Sequence, residues 1–289
     1  GGLRGAAIGT RVFAFYSSKG GTGKTTTAVN FAYRLMQTGI RTCLMGFDTP
    51  DDVGAFLGLA HRPNSLNFFN RPSREGFKAS IQSKDSLDVV LSPNDPHEAE
   101  AIAARPFGSE GSISHLIEAA RDHHPPYGAI VMDLPPTETV WSMAPLQRAN
   151  TVLLVLQPSI ADAGKLVSTI NLVSTRFADT FTIPREAIFA VLNGVTGDDN
   201  ITARSFQEAI AEAKDGSGNP ILGFCPPIIA SIPWNSKVRT VQNNTMLPVT
   251  MVDDYAKGIN RVVDFFYHDF TGAGGGKKRS LWPIKLSFK

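Results

Sequence analysis

The sequence predicts a doubly wound α/β fold, in which a mostly parallel sheet carries helices on both faces. Apolar runs alternate along the chain with segments whose apolar residues recur every three or four positions, and this rhythm is typical of βαβ units. The 289 residues are 42% hydrophobic and 19% charged, which suits a globular chain with a large buried core. We therefore expect one α/β domain of roughly 260 residues.

Each element is predicted from its own pattern. Strands are expected at the apolar runs Val12–Tyr16, Arg41–Phe47, Leu87–Leu91, Ala129–Met132, Thr151–Gln157, Ala187–Leu192 and Ile228–Ile232. Helices are expected where apolar residues follow helical spacing, at Thr25–Gln37, Ser112–Asp122, Ala163–Arg176, Ala203–Ala213 and Asp254–Phe270. The domain is expected to span residues 11–271. It follows a linker over residues 1–10 and precedes a glycine-rich linker and basic, apolar tail over residues 272–289.

A phosphate-binding loop is predicted between the first strand and the first helix, in the sequence Ser-Lys-Gly-Gly-Thr-Gly-Lys-Thr-Thr from Ser18 to Thr26. Glycines let successive backbone N–H groups turn toward phosphates, and the following helix adds the positive end of its dipole. By the pattern G-x-x-x-x-G-K-[ST], Lys24 would contact the β- and γ-phosphates and Thr25 would bind Mg²⁺. The predicted ligands are ATP and Mg²⁺, and the predicted fold is that of a P-loop NTPase.

Acidic residues at strand ends are the second part of the predicted site, because open parallel sheets bind ligands at the carboxyl ends of their strands. Asp133 follows the run Ala129–Met132 and precedes Leu134-Pro135-Pro136. It fits a Walker B aspartate that holds the Mg²⁺ shell. Asp48 follows the apolar run that ends at Phe47 and would face the same edge.

The loop resembles the deviant Walker A sequence K-G-G-x-G-K-[ST]-T of the ParA/MinD family of dimerising ATPases. Lys19 supplies its extra lysine, and Ser18 stands where the ordinary P-loop has its first glycine. The resemblance covers the chain from Arg11 to about Phe270. It implies an ATP-dependent homodimer in which Lys19 enters the partner's site and assists slow, partner-stimulated ATP hydrolysis.

Later motifs resemble the same family and extend the site. Asp48 resembles the second aspartate of a D-x-D switch that orients the attacking water, although Gly46 stands in the first position. Asn193 matches an asparagine that contacts adenine, while an Asn-Gly turn remains the alternative for it. Pro233 belongs to a segment like I-P-x-D near the base. The resemblance implies that Lys19, Lys24 and Asp48 are catalytic, and that Thr25, Asp48 and Asp133 bind the metal. The nucleotide-binding residues that it implies are Lys19, Gly20, Gly21, Thr22, Gly23, Lys24, Thr25, Thr26, Asn193 and Pro233.

Two further segments, Asp52–Leu59 and Val90–Glu100, resemble CpaE/TadZ proteins, ATPases that place Tad pilus secretion machinery at a cell pole. This subgroup implies a pilus or secretion partner and a cytoplasmic location, at the cell pole or at the periphery of the inner membrane. The two cysteines, Cys43 and Cys225, are expected to be buried thiols in a reducing compartment. The glycine-rich start without methionine indicates a fragment or a processed chain and would suit truncation after an upstream domain.

Other functions remain open on the sequence alone. A partition ATPase would bind DNA non-specifically, although the net charge of +2 gives no global attraction for it. A MinD-like regulator would contact membrane through residues 277–289, whose basic and apolar residues suit anionic lipid. Pro283 and the period-two pattern after it favour an extended or partner-bound strand instead. A scaffold that binds ATP without hydrolysis and a P-loop kinase complete the alternatives.

Overall fold

The computed structural model describes residues 9–105, 109–159, 183–197, 202–214, 217–220 and 226–267. The predicted helix Ala163–Arg176, Cys225, most of the linker over residues 1–10, and residues 272–289 lie outside the described residues. Cys43 is buried, as expected. Among the described residues, none of the helices combines the length and the apolar content that crossing a membrane requires.

Eight strands form one sheet, in the order β3-β4-β2-β5-β1-β6-β7-β8. The strands are β1 (Arg11–Tyr16), β2 (Thr42–Gly46), β3 (Ile81–Lys84), β4 (Leu87–Val90), β5 (Ala129–Asp133), β6 (Thr151–Leu156), β7 (Ile188–Val195) and β8 (Ile228–Pro233). All neighbouring strands are parallel except β3 and β4. The doubly wound α/β prediction is confirmed.

The helices connect the strands and cover the sheet. They are α1 (Lys24–Gln37), α2 (Asp52–Leu57), α3 (Leu66–Asn70), α4 (Arg74–Ser80), α5 (Pro96–Ala103), α6 (Ser109–Arg121), α7 (Val140–Arg148), α8 (Ala203–Ala211), α9 (Ser236–Asn243), α10 (Pro248–Met251) and α11 (Asp253–Phe266). Every predicted strand is present, and the predicted helices that fall on described residues are present with shifted ends.

The core lies on both faces of the sheet, and β1 shows how the sequence divides it. Val12, Ala14 and Tyr16 point into one buried cluster with residues of α6 and α7. Phe13 and Phe15 point into the other, where they pack against α1 and α11. Successive strand residues face opposite sides, so a strand that is apolar throughout is buried on both faces.

Two strand ends differ from the prediction in ways that affect the site. Asp133 is the last residue of β5 and not the residue after it, because its backbone continues the pairing with Phe15 of β1. β7 runs on to Val195, with a register shift against β8 between Asn193 and Val195. The alternative prediction of an Asn-Gly turn at Asn193 is therefore wrong, because Asn193 lies within β7.

Candidate nucleotide-binding site

The predicted phosphate-binding loop joins β1 to α1 at the carboxyl edge of the sheet. Gly21 and Gly23 have φ angles of 78° and 84°, a left-handed conformation that glycine adopts without strain. Gly23 is the N-cap of α1, and no acidic residue lies in the first turn of that helix. The positive end of a 14-residue helix therefore faces the loop without a nearby carboxylate of its own.

Lys24, Thr25 and Asp133 meet at the centre of this edge. Lys24 Nζ lies 2.7 Å from Asp133 Oδ1, and the Thr25 hydroxyl donates to Asp133 Oδ2 at 2.8 Å. Lys24 and Asp133 are buried, with side chains 7% and 2% exposed. The structure thus brings the predicted P-loop lysine, the hydroxyl residue and the Walker B aspartate into direct contact.

Two side chains outside the loop brace its backbone, and only one of them is a predicted site residue. The Asn193 amide donates to Thr22 O at 2.8 Å, and the Gln157 amide donates to Gly21 O at 3.2 Å. A side chain at position 23 would overlap the Asn193 amide. The structure therefore places Asn193 on the loop, while its contact with adenine stays a prediction.

Lys19 is half-buried and turns back onto its own chain. Its Nζ donates to Gln157 Oε1 at 3.3 Å, just beyond the end of β6. The same Gln157 side chain holds Gly21 O, so one residue fixes two parts of the loop. Sequence reasoning missed Gln157, whose only signal is its place after a buried apolar strand, at the edge where ligands bind.

Asp48 lies half-buried beside this centre. Burial raises the pKa of its carboxyl group, the Lys24 ammonium lowers it, and the Asp133 carboxylate raises it further. The Asp48 carboxylate also accepts the Thr49 N–H at 3.0 Å. The Asp48 carboxyl group therefore interacts electrostatically with both Lys24 and Asp133, and its role in hydrolysis stays a prediction.

Asp51 is a buried carboxyl group that the sequence reasoning did not include in the site. It accepts N–H groups from Val53 at 2.8 Å and from Ser92 at 2.5 Å. Burial is the largest cause that raises its pKa to about 7, and the Asp133 carboxylate contributes. Asp51 is the N-cap of α2, a six-residue helix that the sequence analysis did not predict, so its position carried no signal.

The predicted base-binding segment lies at the end of β8. Pro233 is the last residue of that strand, and the Trp234 ring beside it is 64% exposed. The following helix, α9, reaches the loop through Gln242, which pairs with the Thr26 hydroxyl at 3.0–3.2 Å. Gln242 is a second contact that the sequence did not predict, since it joins positions 216 residues apart.

The residues present fit a phosphate chain with a magnesium ion. The Thr22 hydroxyl is buried and has no hydrogen-bond partner among the described residues, so the loop holds an unused polar group. Thr25, Asp48 and Asp133 offer only oxygen ligands, which Mg²⁺ prefers. Within the described part of the chain no three His, Cys, Asp or Glu side chains form a metal cluster. Mg²⁺ at NTP sites is typically held by one or two protein oxygens plus phosphates and water.

The sequence is similar to those of known proteins. An uncharacterized ATP-binding protein of Methanocaldococcus jannaschii is 26% identical over 166 residues, covering 55% of this chain and 59% of the relative. The chromosome partitioning protein ParA of Myxococcus xanthus is 27% identical over 184 residues, covering 60% and 62%. The matches thus span about six-tenths of the length of these relatives.

The fold matches solved structures over almost the whole chain. The septum site-determining protein MinD of Pyrococcus horikoshii, solved with Mg-ADP, superimposes with a TM-score of 0.69 over 90% of this chain and 96% of MinD. The sequences are 17% identical, so this likeness concerns the fold. A family model described as an AAA domain matches residues 10–183, which include the phosphate-binding loop and Asp133. The chain therefore belongs to this AAA domain family.

Proposed function

We propose that the chain is an ATPase that binds ATP with Mg²⁺ and uses an ATP-dependent homodimer to position a cellular assembly. The contact of Lys24 and Thr25 with Asp133 carries this proposal, because it unites the phosphate-binding lysine, the hydroxyl ligand and the acidic residue at one point. The glycine-rich loop and the start of α1 supply the phosphate cradle.

Each residue has a defined task in hydrolysis. Bound Mg²⁺ would be held by Thr25, Asp48 and Asp133, and it would neutralise charge on the phosphates. Lys24 would balance the negative charge that develops on the γ-phosphate. Asp48 would orient the attacking water, because its carboxylate interacts electrostatically with the Lys24 ammonium. Such a site is expected to turn over slowly until a partner completes it.

Lys19 is proposed to sense the partner chain. The deviant lysine lies one residue after Ser18, on the exposed side of the loop, and its ammonium rests on Gln157. To enter a partner's site it would leave Gln157 and bind charged phosphate oxygens, with which an ammonium forms strong, charge-assisted hydrogen bonds. A second cation supplied this way would act as an arginine finger does.

The assembly positioned is proposed to be Tad-type pilus or secretion machinery, on the resemblance of Asp52–Leu59 and Val90–Glu100 to CpaE/TadZ proteins. The chain would then act in the cytoplasm, at a cell pole or at the inner membrane. The second candidate is a partition ATPase, which the similarity to the Myxococcus ParA favours. Binding to duplex DNA that needs ATP and weakens steeply with salt would support the partition role over the pilus role.

Lys24→Ala and Asp48→Ala test the ATPase proposal together, by melting with and without Mg-ATP and by phosphate release. Lys24→Ala should lose the nucleotide-dependent rise in melting temperature, because the phosphates lose their main cation. Asp48→Ala should keep the rise but lose hydrolysis by about a hundredfold or more.

Lys78→Ala is the matched control, since Lys78 is an exposed lysine on α4. It should match the wild type in melting shift and in rate. A wild-type chain that binds Mg-ATP but releases no phosphate would support a scaffold instead. A rate unchanged by Asp48→Ala would show that another group orients the water.

A further inference from the structure

The space above Gly46, the last residue of β2, is filled by the carboxylate of Asp51. A Cβ atom at position 46 would overlap Asp51 Oδ2, and would lie 2.9 Å from Oδ1 and 3.0 Å from Cγ. Gly46 pairs in register with Asp133 across β2 and β5. Asp51 therefore reaches back from the loop to the place that a side chain at position 46 would occupy, next to the Walker B strand.

Both oxygens of this carboxylate are used to join separate elements. Oδ1 accepts the Val53 N–H at the start of α2, and Oδ2 accepts the Ser92 N–H after β4. The Thr49 hydroxyl adds contacts to Ser92 Oγ at 3.1 Å and to Pro93 O at 3.0 Å. The loop that carries Asp48 is thus tied to the end of β4 from two of its residues.

Helix capping alone does not explain Asp51. Asp95 caps α5 through the His97 N–H at 2.9 Å while its side chain is exposed, so a cap needs neither burial nor a second partner. Burial of a carboxylate costs free energy, which the raised pKa of Asp51 reflects. Serine or asparagine would cap α2 without that cost.

We propose that Asp51 takes the place of a side chain at position 46 and positions the Asp48 loop beside Lys24 for ATP hydrolysis. This inference rests on the proposed function. Asp51 is a positioning residue, because its two oxygens bind backbone N–H groups and act on the reaction through Asp48. A carboxylate on a side chain at position 46 should therefore also position the Asp48 loop.

Moving the carboxylate between the two positions tests the proposal. Asp51→Ser keeps a capping hydroxyl and removes the carboxylate, and adding Gly46→Asp returns a carboxylate to the same space from β2. Asp95→Ser, at the exposed cap of α5, controls for the loss of a charged cap. Values of kcat and KM for ATP are measured for each, with melting temperatures with and without Mg-ATP.

Asp51→Ser should lower kcat about tenfold or more, while KM and the nucleotide-dependent melting shift change little. The double variant Gly46→Asp/Asp51→Ser should recover kcat to within about threefold of the wild type, and Asp95→Ser should match the wild type. An unchanged kcat in Asp51→Ser would overturn the proposal. So would a folded double variant that is no more active than Asp51→Ser.

A melting series without nucleotide separates this inference from the proposed function. Gly46→Ala should lower the melting temperature clearly in the wild type and much less in Asp51→Ser, where the space has been vacated. Equal losses on both backgrounds would overturn the inference, whatever the chain does with ATP. A wild type without any melting shift on Mg-ATP would contradict the proposed function, and this series would then decide whether Asp51 fills the space.

Discussion

Gly23 is constrained twice, once by its backbone and once by a neighbour. Its φ angle is 84°, and a Cβ atom there would overlap the Asn193 amide that braces Thr22 O. Gly21 has a similar φ of 78°, yet a Cβ atom at position 21 would meet nothing within 4 Å. Alanine at position 21 would therefore add backbone strain alone, whereas alanine at position 23 would add backbone strain and overlap with Asn193.

Gly21→Ala should lower the free energy of unfolding by about 1 kcal/mol, the cost of a left-handed alanine. Gly23→Ala should cost about 2 kcal/mol or more, because the overlap with Asn193 adds to the same strain. Urea denaturation of both variants measures the difference. Equal costs would mean that Asn193 does not lie against the loop.

The raised pKa of Asp51 predicts how the free energy of unfolding depends on pH. Its carboxyl group titrates near 3.8 in the unfolded chain and at about 7 in the folded one, so the folded state binds the extra proton between these values. The wild type should therefore lose up to about 1.4 kcal/mol of stability per pH unit, relative to Asp51→Asn, as pH rises through that window. Urea denaturation without nucleotide at several pH values tests this. A difference that stays constant from pH 4 to 7 would contradict it.

At the scale of elements, close packing of α11 against β8 depends on a glycine. A Cβ atom on Gly258 of α11 would lie 3.1 Å from both Cα and Cγ1 of Ile232 in β8. Gly111 of α6 is also helical, but a Cβ atom there would meet no atom of the described residues within 4 Å. The same substitution should therefore have opposite effects in the two helices.

Gly258→Ala should destabilise the fold by about 1 kcal/mol, because overpacking at about 1–3 kcal/mol exceeds the gain of at most about 1 kcal/mol in helix propensity. Gly111→Ala should be neutral or stabilising by up to about 1 kcal/mol. Thermal melting of both variants measures the contrast. A stabilising Gly258→Ala would show that α11 can move away from Ile232 at little cost.

Elements with a strong apolar pattern could be predicted from the sequence even when short, as β4 was, while short elements with a weak pattern could not. β6 reads Thr-Val-Leu-Leu-Val-Leu and is buried throughout, so its pattern is unambiguous. β3 reads Ile-Gln-Ser-Lys at the antiparallel edge of the sheet, where it is largely polar and partly exposed. Five or seven residues, as in α3 and α4, are too few to show a helical period.

The residues of the candidate site also fall into two groups, those that the local sequence predicts and those that it does not. Lys24 and Thr25 follow from local spacing, and Asp133 follows from its place at a strand end. Gln157 and Asp51 act through partners far away in sequence, on Gly21 O and the Ser92 N–H, so only the folded chain reveals them. Asn193 contacts the loop, which could not be predicted from its Asn-Gly sequence. Its contact with adenine stays a prediction.

For the molecule as a whole, we expect ATP to control association. The Lys19 ammonium rests on Gln157 at 3.3 Å in the single chain, at the edge where the phosphate-binding loop is exposed. A partner that brings ATP phosphates to this edge would offer Lys19 charged acceptors, which form strong hydrogen bonds with an ammonium. ADP lacks the γ-phosphate, so the driving force for pairing would fall after hydrolysis.

The most direct measurement is the mass of the protein in solution by light scattering, with Mg-ADP and with a slowly hydrolysed ATP analogue. We expect a monomer with Mg-ADP and a dimer with the analogue. Lys19→Ala should stay monomeric with the analogue while keeping its nucleotide-dependent melting shift, and the control Lys78→Ala should dimerise as the wild type does. A wild type that stays monomeric with the analogue, or a dimer that survives Lys19→Ala, would contradict the proposed switch.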